Sequence, residues 1–380
     1  MKKKALVITL TNFIDDPRPR RNHEIFSELG YSMEIISYKF KSDSSNFNQN
    51  FHFIKKKGYC NRILFLLTVL FNNILKFKIL DQIALQFEFN SSELSDYLSQ
   101  RNYDVIILED LKLLPLVINK KNKSKIIFDA REYYPKQFEN SIVFKLIESK
   151  FNYRLCYNYV NKTDLMLTVS RKIQEEYSNK FKVDVKLIMS APKFNDITIN
   201  DINPKKIKIV HHGMANRNRQ LEKMINCFKD FNDNFIFDLY LVGNNKYIEE
   251  LKLIASDCQR IQIKNPIKHD QIVKTLSSYD IGFFYVEPST FNLKYCLPNK
   301  FFEFIQARLA ILTGPTSEMS FLIDKYEIGM YSKKFDTNEI IKLVNNMTLD
   351  NLKTYKKNTH FAAQNLCFEI EKEKLINLIK

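Results

Sequence analysis

The chain has no cysteine pair at metal-binding spacing. Its six cysteines, Cys60, Cys156, Cys227, Cys258, Cys296 and Cys367, lie far apart, with no CxxC and no nearby histidine cluster. That excludes a zinc framework of ordinary spacing and fits a reducing cytoplasm, the expected location. Long apolar runs are missing too: residues 63–71 fall short of the roughly 20 needed to span a bilayer. The apolar run after Lys2-Lys3-Lys4 meets polar Thr11-Asn12 with no small-residue cleavage site, so it reads as a first strand rather than a signal peptide. No internal repeat stands out, nor any low-complexity tract beyond a lysine and asparagine bias. There is no basic helix and no RNP-type aromatic motif, so the footprint of a nucleic-acid binder is lacking.

Acidic residues are also in short supply. Against 58 Lys and Arg stand 43 Asp and Glu, giving a net charge of +15 and a pI near 9.3. Such a surface attracts anions, whether nucleic acid, acidic lipid headgroups or phosphorylated substrates, and the first of these has no motif to support it. With 380 residues, 45% of them hydrophobic, the chain can bury two cores. A strand at 4–10, a helix at 19–29 closed by Gly30 and a strand at 31–37 form a βαβ unit. Further strands are expected at 103–108, 125–128 and 164–169. The polar, turn-rich stretch 191–206 reads as a linker. The alternation then resumes with strands at 207–211, 235–241, 260–263, 280–285 and 309–313. Short apolar strands alternating with helices predict parallel sheets covered on both faces. The expected class is α/β, with two doubly wound Rossmann-like domains at 1–190 and 207–355, facing across a cleft, and a helical tail at 356–380.

The densest chemistry lies in the block Pro298-Asn299-Lys300-Phe301-Phe302-Glu303-Phe304-Ile305, followed by an apolar strand ending at Gly314. A helix start offers backbone N–H groups to a diphosphate, and Lys300 adds a point charge. Glu303 can accept from ribose hydroxyls, and a carboxylate among Phe301, Phe302, Phe304 and Ile305 calls for a partner. Asp129-Ala130-Arg131-Glu132-Tyr133-Tyr134-Pro135 follows a strand in the first half. Asp15-Asp16-Pro17-Arg18-Pro19-Arg20-Arg21 joins the first strand to the first helix, where open α/β sheets bind ligands.

These blocks resemble the "PNK-x-FEY" and "DAHE-x-YP" segments of retaining glycosyltransferases of family 4, which have the GT-B architecture. The resemblance runs from about residue 5 to 375 and is strongest at 298–314 and 129–135. It implies a nucleotide diphosphate-sugar donor, UDP- or GDP-linked, held by the second domain. It also implies a glycan or lipid-linked acceptor on the first, retention of configuration, and no metal or other cofactor. There is no Asp-x-Asp pair in a plausible metal-binding loop. The tail at 356–380 would cross back to the first domain.

Residue by residue, the resemblance assigns the donor to Gly213, Arg219, Gly243, Asn244, Asn265, Asn299, Lys300 and Glu303. Of the family's E-x7-E pair, Glu303 matches the second glutamate and Tyr295 stands at the first, with Glu287 a substitute contact. Gln220 replaces the usual lysine after Arg219. The alternative is that Arg217 and Arg219 are solvated at a helix start, where cations are slightly disfavoured, so a phosphate partner is the favoured reading. Arg308 and Ala310 replace the usual glycine and proline, and a left-handed Arg308 would cost about 1–2 kcal/mol.

On the acceptor side stand Asp16, Arg18, Arg20, Asp129 and Glu132, with Asp110 lining the cleft. Arg18 and Arg20 either receive an acceptor phosphate or leave Asp16 capping the helix with Arg18 as its surface partner. Arg131 replaces the family histidine near the reacting centre. It stays charged and cannot serve as a base, yet can stabilise negative charge, and with Glu303 it is the candidate catalytic pair. Ser170 reads as a helix cap and Asp280 as structural. Residues 53–87, an apolar helix flanked by Lys55–Lys57, Lys76 and Lys78, either lie in a lipid headgroup layer or form an ordinary buried helix. Two other classes compete with a transferase in surface polysaccharide synthesis: a GT-B sugar-nucleotide epimerase, and an inactive binding or scaffold protein.

Overall fold

Burial drives both sheets, because strands flanked by helices on each face must be apolar along their whole length. The computed structural model describes residues 2–38, 50–120 and 123–380, in two compact units. The first comprises Met1–Ile188 with Thr290–Asn292, and the second Met189–Ser289 with Leu293–Lys380.

The first unit holds strands β1 (Lys4–Ile8), β2 (Ser32–Tyr38), β3 (Phe51–Ile54), β4 (Val105–Leu108), β5 (Lys125–Ala130), β6 (Leu165–Thr168) and β7 (Val185–Leu187). They form one sheet in the order β3-β2-β1-β4-β5-β6-β7, with every pair parallel. The order reverses at β1, so the loops after β1, β4 and β5 gather at the crevice where open sheets place their ligands. All four residues of β4 are buried. The helix after β1 runs Pro17–Glu28, capped by Asp16, whose side chain accepts from the Arg18 N–H.

The second unit holds β8 (Ile207–Ala215), β9 (Phe235–Gly243), β10 (Ile261–Lys264), β11 (Ile281–Phe284), β12 (Ala310–Thr313) and β13 (Gly329–Tyr331). Their order is β10-β9-β8-β11-β12-β13, again all parallel. Ile209, Phe283 and Leu312 point into a core shared with the helices Leu221–Lys229 and Asn245–Ala255. Val210, Phe284 and Ile311 point to the other face, against Phe301, Phe304 and Ile305 of the helix Asn299–Gln306. Gly282 permits that close approach, since a Cβ there would sit 2.4 Å from the Phe304 ring.

The stretch 191–206 carries no helix or strand and is pinned along the second unit. Asn195 accepts from Arg308, and Asn200 takes a bond from Lys356 and gives one to Asp280. Asp280 is structural, as expected, in a buried pair with Lys356 at 3.0 Å. Helix Phe368–Ile379 groups with the second unit, where the Phe368 N–H donates to Pro192 O at 2.8 Å. Among the described residues no helix is long and apolar enough to cross a membrane.

Candidate functional site

In the second unit the site is built where β8 ends against helix Asn299–Gln306. Pro298 sits at the helix N-cap with no N–H to lose, and the first N–H groups that follow have no intrahelical carbonyl. Lys300 and Glu303, three residues apart, share one face of this helix, while Phe301, Phe302, Phe304 and Ile305 are wholly buried. Gly213 holds φ 122°, a conformation that strains any residue with a side chain. A Cβ built there would lie 3.0 Å from Lys300 Nζ and 3.7 Å from an Arg219 guanidinium nitrogen. The bare strand end and the two cations therefore lie side by side.

Neither cation is neutralised. Among the described residues no carboxylate lies within 4.0 Å of Lys300 or Arg219, and Arg219 donates only to Met214 O at 3.3 Å. Lys300 is 6% exposed. Burial and the nearby Arg219 push its ammonium well below the ordinary lysine range, against a weaker pull from Glu303 and Cys296. Burial also lowers the pKa of Arg219, and it pushes the adjacent Cys296 thiol up to about 11.

Two histidines of β8 support this pair. His211 Nδ1 lies 2.9 Å from Phe283 O; a carbonyl only accepts, so Nδ1 carries the proton and Nε2 is left as acceptor. Nε2 faces Lys300 Nζ at 3.4 Å. Burial, then Lys300, holds the ring well below the usual histidine range and therefore neutral. His212 Nε2 lies 3.2 Å from Glu303 Oε2, and burial likewise keeps this ring neutral in spite of the carboxylate. Burial works to raise Glu303, but the contact with His212 and the charges of His269 and Lys300 outweigh it, so Glu303 stays ionised. The sequence marks these histidines only as a His-His-Gly strand end.

The remaining donor candidates lie as follows. Gly243 has φ 123°, with Met214 packed where a side chain would go. Asn244 spends its side chain capping Asn245–Ala255, accepting from Tyr247. Asn265 and Asn299 are exposed and Tyr295 is half-buried. Glu287 pairs with Lys223 at 2.7 Å on the surface. Arg308 adopts φ 64°, the left-handed conformation expected from the family glycine.

In the first unit, Arg18 is buried inside the fold. Its guanidinium takes Asp129 in a fork, at 2.8 and 2.6 Å, and donates to Ile188 O at 2.8 Å. Asp16 is the helix cap, so the capping role holds, but Arg18 is no surface partner. Arg131 binds Asp16 directly and lies 3.6 Å from Asp110. Two carboxylates thus neutralise Arg131, and they raise its pKa above that of free arginine despite burial. Arg20 keeps a buried Nε with no hydrogen-bond partner. Glu109, fully buried beside Asp129, accepts from Asn22 at 2.7 Å; burial and Asp129 raise its pKa well above the carboxylate range. Glu132 accepts from Gln137 and is pushed up to about 7 by burial. Ser170 stands at the N-cap of Arg171–Phe181 without a side-chain cap bond.

The chain matches no protein-family model and no curated protein. Solved structures match over its whole length. Sucrose-phosphate synthase from Thermosynechococcus elongatus aligns at TM-score 0.72 and 11% identity, over 100% of this chain and 98% of that one. Anabaena HepE in complex with UDP and glucose aligns at 0.70 and 11%, over 99% of each chain. WaaG, a glycosyltransferase involved in lipopolysaccharide biosynthesis, aligns at 0.66 and 9%, over 99% of each chain. At such identities the likeness establishes the fold, which is GT-B.

Proposed function

We propose that this protein is a glycosyltransferase of the family 4 kind. It moves a sugar from a UDP- or GDP-linked donor to a glycan or lipid-linked acceptor in bacterial surface polysaccharide synthesis, at the inner face of the membrane. One observation carries the reading: Lys300 and Arg219 converge on the bare backbone at Gly213 with no carboxylate between them. A buried lysine beside a half-buried arginine, with no carboxylate partner for either among the described residues, is costly, and a diphosphate is the anion whose size and charge offset both. The UDP and glucose in the HepE structure support the same assignment.

Arg219, Lys300 and the N–H groups opening Asn299–Gln306 hold the diphosphate, and ionised Glu303 accepts from the ribose hydroxyls. The bond from the sugar's anomeric carbon to the diphosphate oxygen breaks, with the electron pair leaving on the phosphate. The acceptor oxygen attacks from the same face, and its proton passes to the departing phosphate, so configuration is retained and no protein base is required. The two cations stabilise the charge that develops on the leaving group, the part a divalent metal otherwise plays.

A second reading, binding without turnover, draws on Arg131 being occupied by Asp16 and Asp110. Incubation with UDP- and GDP-sugars, with and without lipid acceptors, separates the two. Acceptor-dependent release of nucleotide is expected; an isomerised donor would mean an epimerase, and binding without release a scaffold. Glu303→Ala should weaken the donor about tenfold or more, because a charged hydrogen bond is lost. A change within about twofold would remove Glu303 from the donor site.

A further inference from the structure

Helix Tyr59–Leu75 of the first unit is apolar on the stripe it exposes as well as on the one it buries. Phe65, Val69 and Asn72 follow the i, i+4, i+7 spacing and are fully buried. Leu67, Phe71 and Ile74 repeat that spacing two residues on, about 200° around the helix axis, and are 56%, 58% and 78% exposed. The surface continues onto Phe77 (57%), Ile142 (74%) and Leu146 (64%). The segment bearing Leu146 is tied to the helix by Asn73 donating to Ile147 O at 3.1 Å and by Arg62 on Glu148. Water-exposed monomers seldom gather so many large apolar side chains in one patch.

Charge identifies what covers this face. Lys55, Lys56, Lys57, Lys76, Lys78, Lys145 and Lys150 are exposed around it. Three carboxylates packed beneath it are engaged by cations. Asp81 is 1% exposed and bound by Arg154, Glu88 is held by Arg62 and Lys112, and Glu148 is buried on Arg62. Lys76 and Lys150, with Tyr153 and Tyr157, line a cavity of about 630 Å³. Two-fold pairing with a second copy would set lysines against lysines. An anionic bilayer satisfies the apolar stripe and the cations together.

We propose that this face docks on an anionic lipid bilayer, with the Leu67–Phe71–Ile74 stripe at the acyl boundary and lipid phosphates between Lys76 and Lys150. The inference deepens the membrane contact named in the proposed function but does not depend on sugar transfer.

Sedimentation of the full chain with phosphatidylcholine vesicles, with or without about a third phosphatidylglycerol, tests it. Binding about tenfold tighter to the anionic vesicles is expected, weakening as salt rises. Lys76→Glu with Lys150→Glu should lose about tenfold or more, as should Phe71→Asn with Ile74→Asn. Neutralising the exposed Lys55, Lys56 and Lys57 should weaken binding with no risk to the core. Equal binding to both vesicles, no binding, or a dimer that these variants dissociate would overturn the proposal. Competition by millimolar inorganic phosphate would do the same, since it would mark a free-phosphate site. The thermal response to UDP, read in the same variants, should be unchanged. Its absence from wild type while vesicle binding persists would count against the donor reading alone.

Discussion

Lys300 is kept dry beside a second cation, and burial together with Arg219 outweighs the pull of Glu303, so its ammonium form is disfavoured until an anion joins it. A bound diphosphate supplies the missing anion and raises the lysine's pKa again. Because the pKa of the empty site is depressed, rising pH should deprotonate Lys300 and weaken UDP, well before free lysine titrates. In that window binding should take up a proton, measurable by calorimetry in buffers of different ionisation enthalpy, and Lys300→Met should abolish the uptake. No uptake at any pH below the ordinary lysine range would mean that Lys300 does not face the phosphates.

Glu132 has the opposite sign. Its folded pKa of about 7 exceeds the unfolded 4.5, so the folded state holds the proton more tightly between those values. Stability is therefore lost as pH rises from the unfolded pKa to the folded one, and the loss is constant above it. Glu132→Gln should raise Tm at pH 8, by at most about 3 kcal/mol of stability, and leave it unchanged at pH 4; an equal effect at both would exclude titration of Glu132. Lys300, Glu303, Gly213 and Arg219 were legible in the sequence because each is placed by a strand end or a helix start. The pairings of His211 with Lys300, of His212 with Glu303 and of Arg131 with Asp16 and Asp110 were not, since the partners lie far along the chain and only the fold brings them together.

The helix that carries Lys300 and Glu303 is fixed at its far end by two residues that lack any catalytic look. Gln306 donates to Ala363 O at 2.8 Å and accepts from the Asn195 N–H at 3.0 Å. Arg308, buried with φ 64°, donates to Gln306 O at 2.6 Å, to Asn195 O at 2.5 Å and to His360 Nδ1 at 3.2 Å. The chain thus keeps a left-handed arginine, a strained backbone that a glycine would relieve, and ties the side chain into three neighbours. Both Arg308→Ala and Arg308→Gly lose those bonds, but only glycine relieves the strain. Denaturant unfolding should find both variants destabilised, with the glycine variant about 1 kcal/mol the more stable of the two. An alanine variant as stable as the glycine one would remove the strain argument. Element boundaries were less legible than element types. The short edge strands β3, β7 and β13 gave no run long enough to read, and β8 continues to Ala215 because Gly213 still pairs with Leu241.

At the scale of the whole molecule the net charge of +15 attracts any polyanion, so affinity for a nucleotide in dilute buffer says little about a built site. The alternation of short apolar strands with helices was enough to read two parallel sheets. It could not separate a diffuse positive surface from a pair of converging cations. Salt separates them. At roughly 0.5 M NaCl the screening length falls to a few ångströms, which removes long-range attraction but acts weakly on a buried contact. If Lys300 and Arg219 grip both phosphates, UDP should raise Tm more than UMP does, and that difference should survive in high salt while a sulfate-induced shift fades. Lys300→Met should erase the difference at every salt concentration. If UDP and sulfate lose their effects in parallel, the field of the whole chain, and not the space beside Gly213, is what binds the anion.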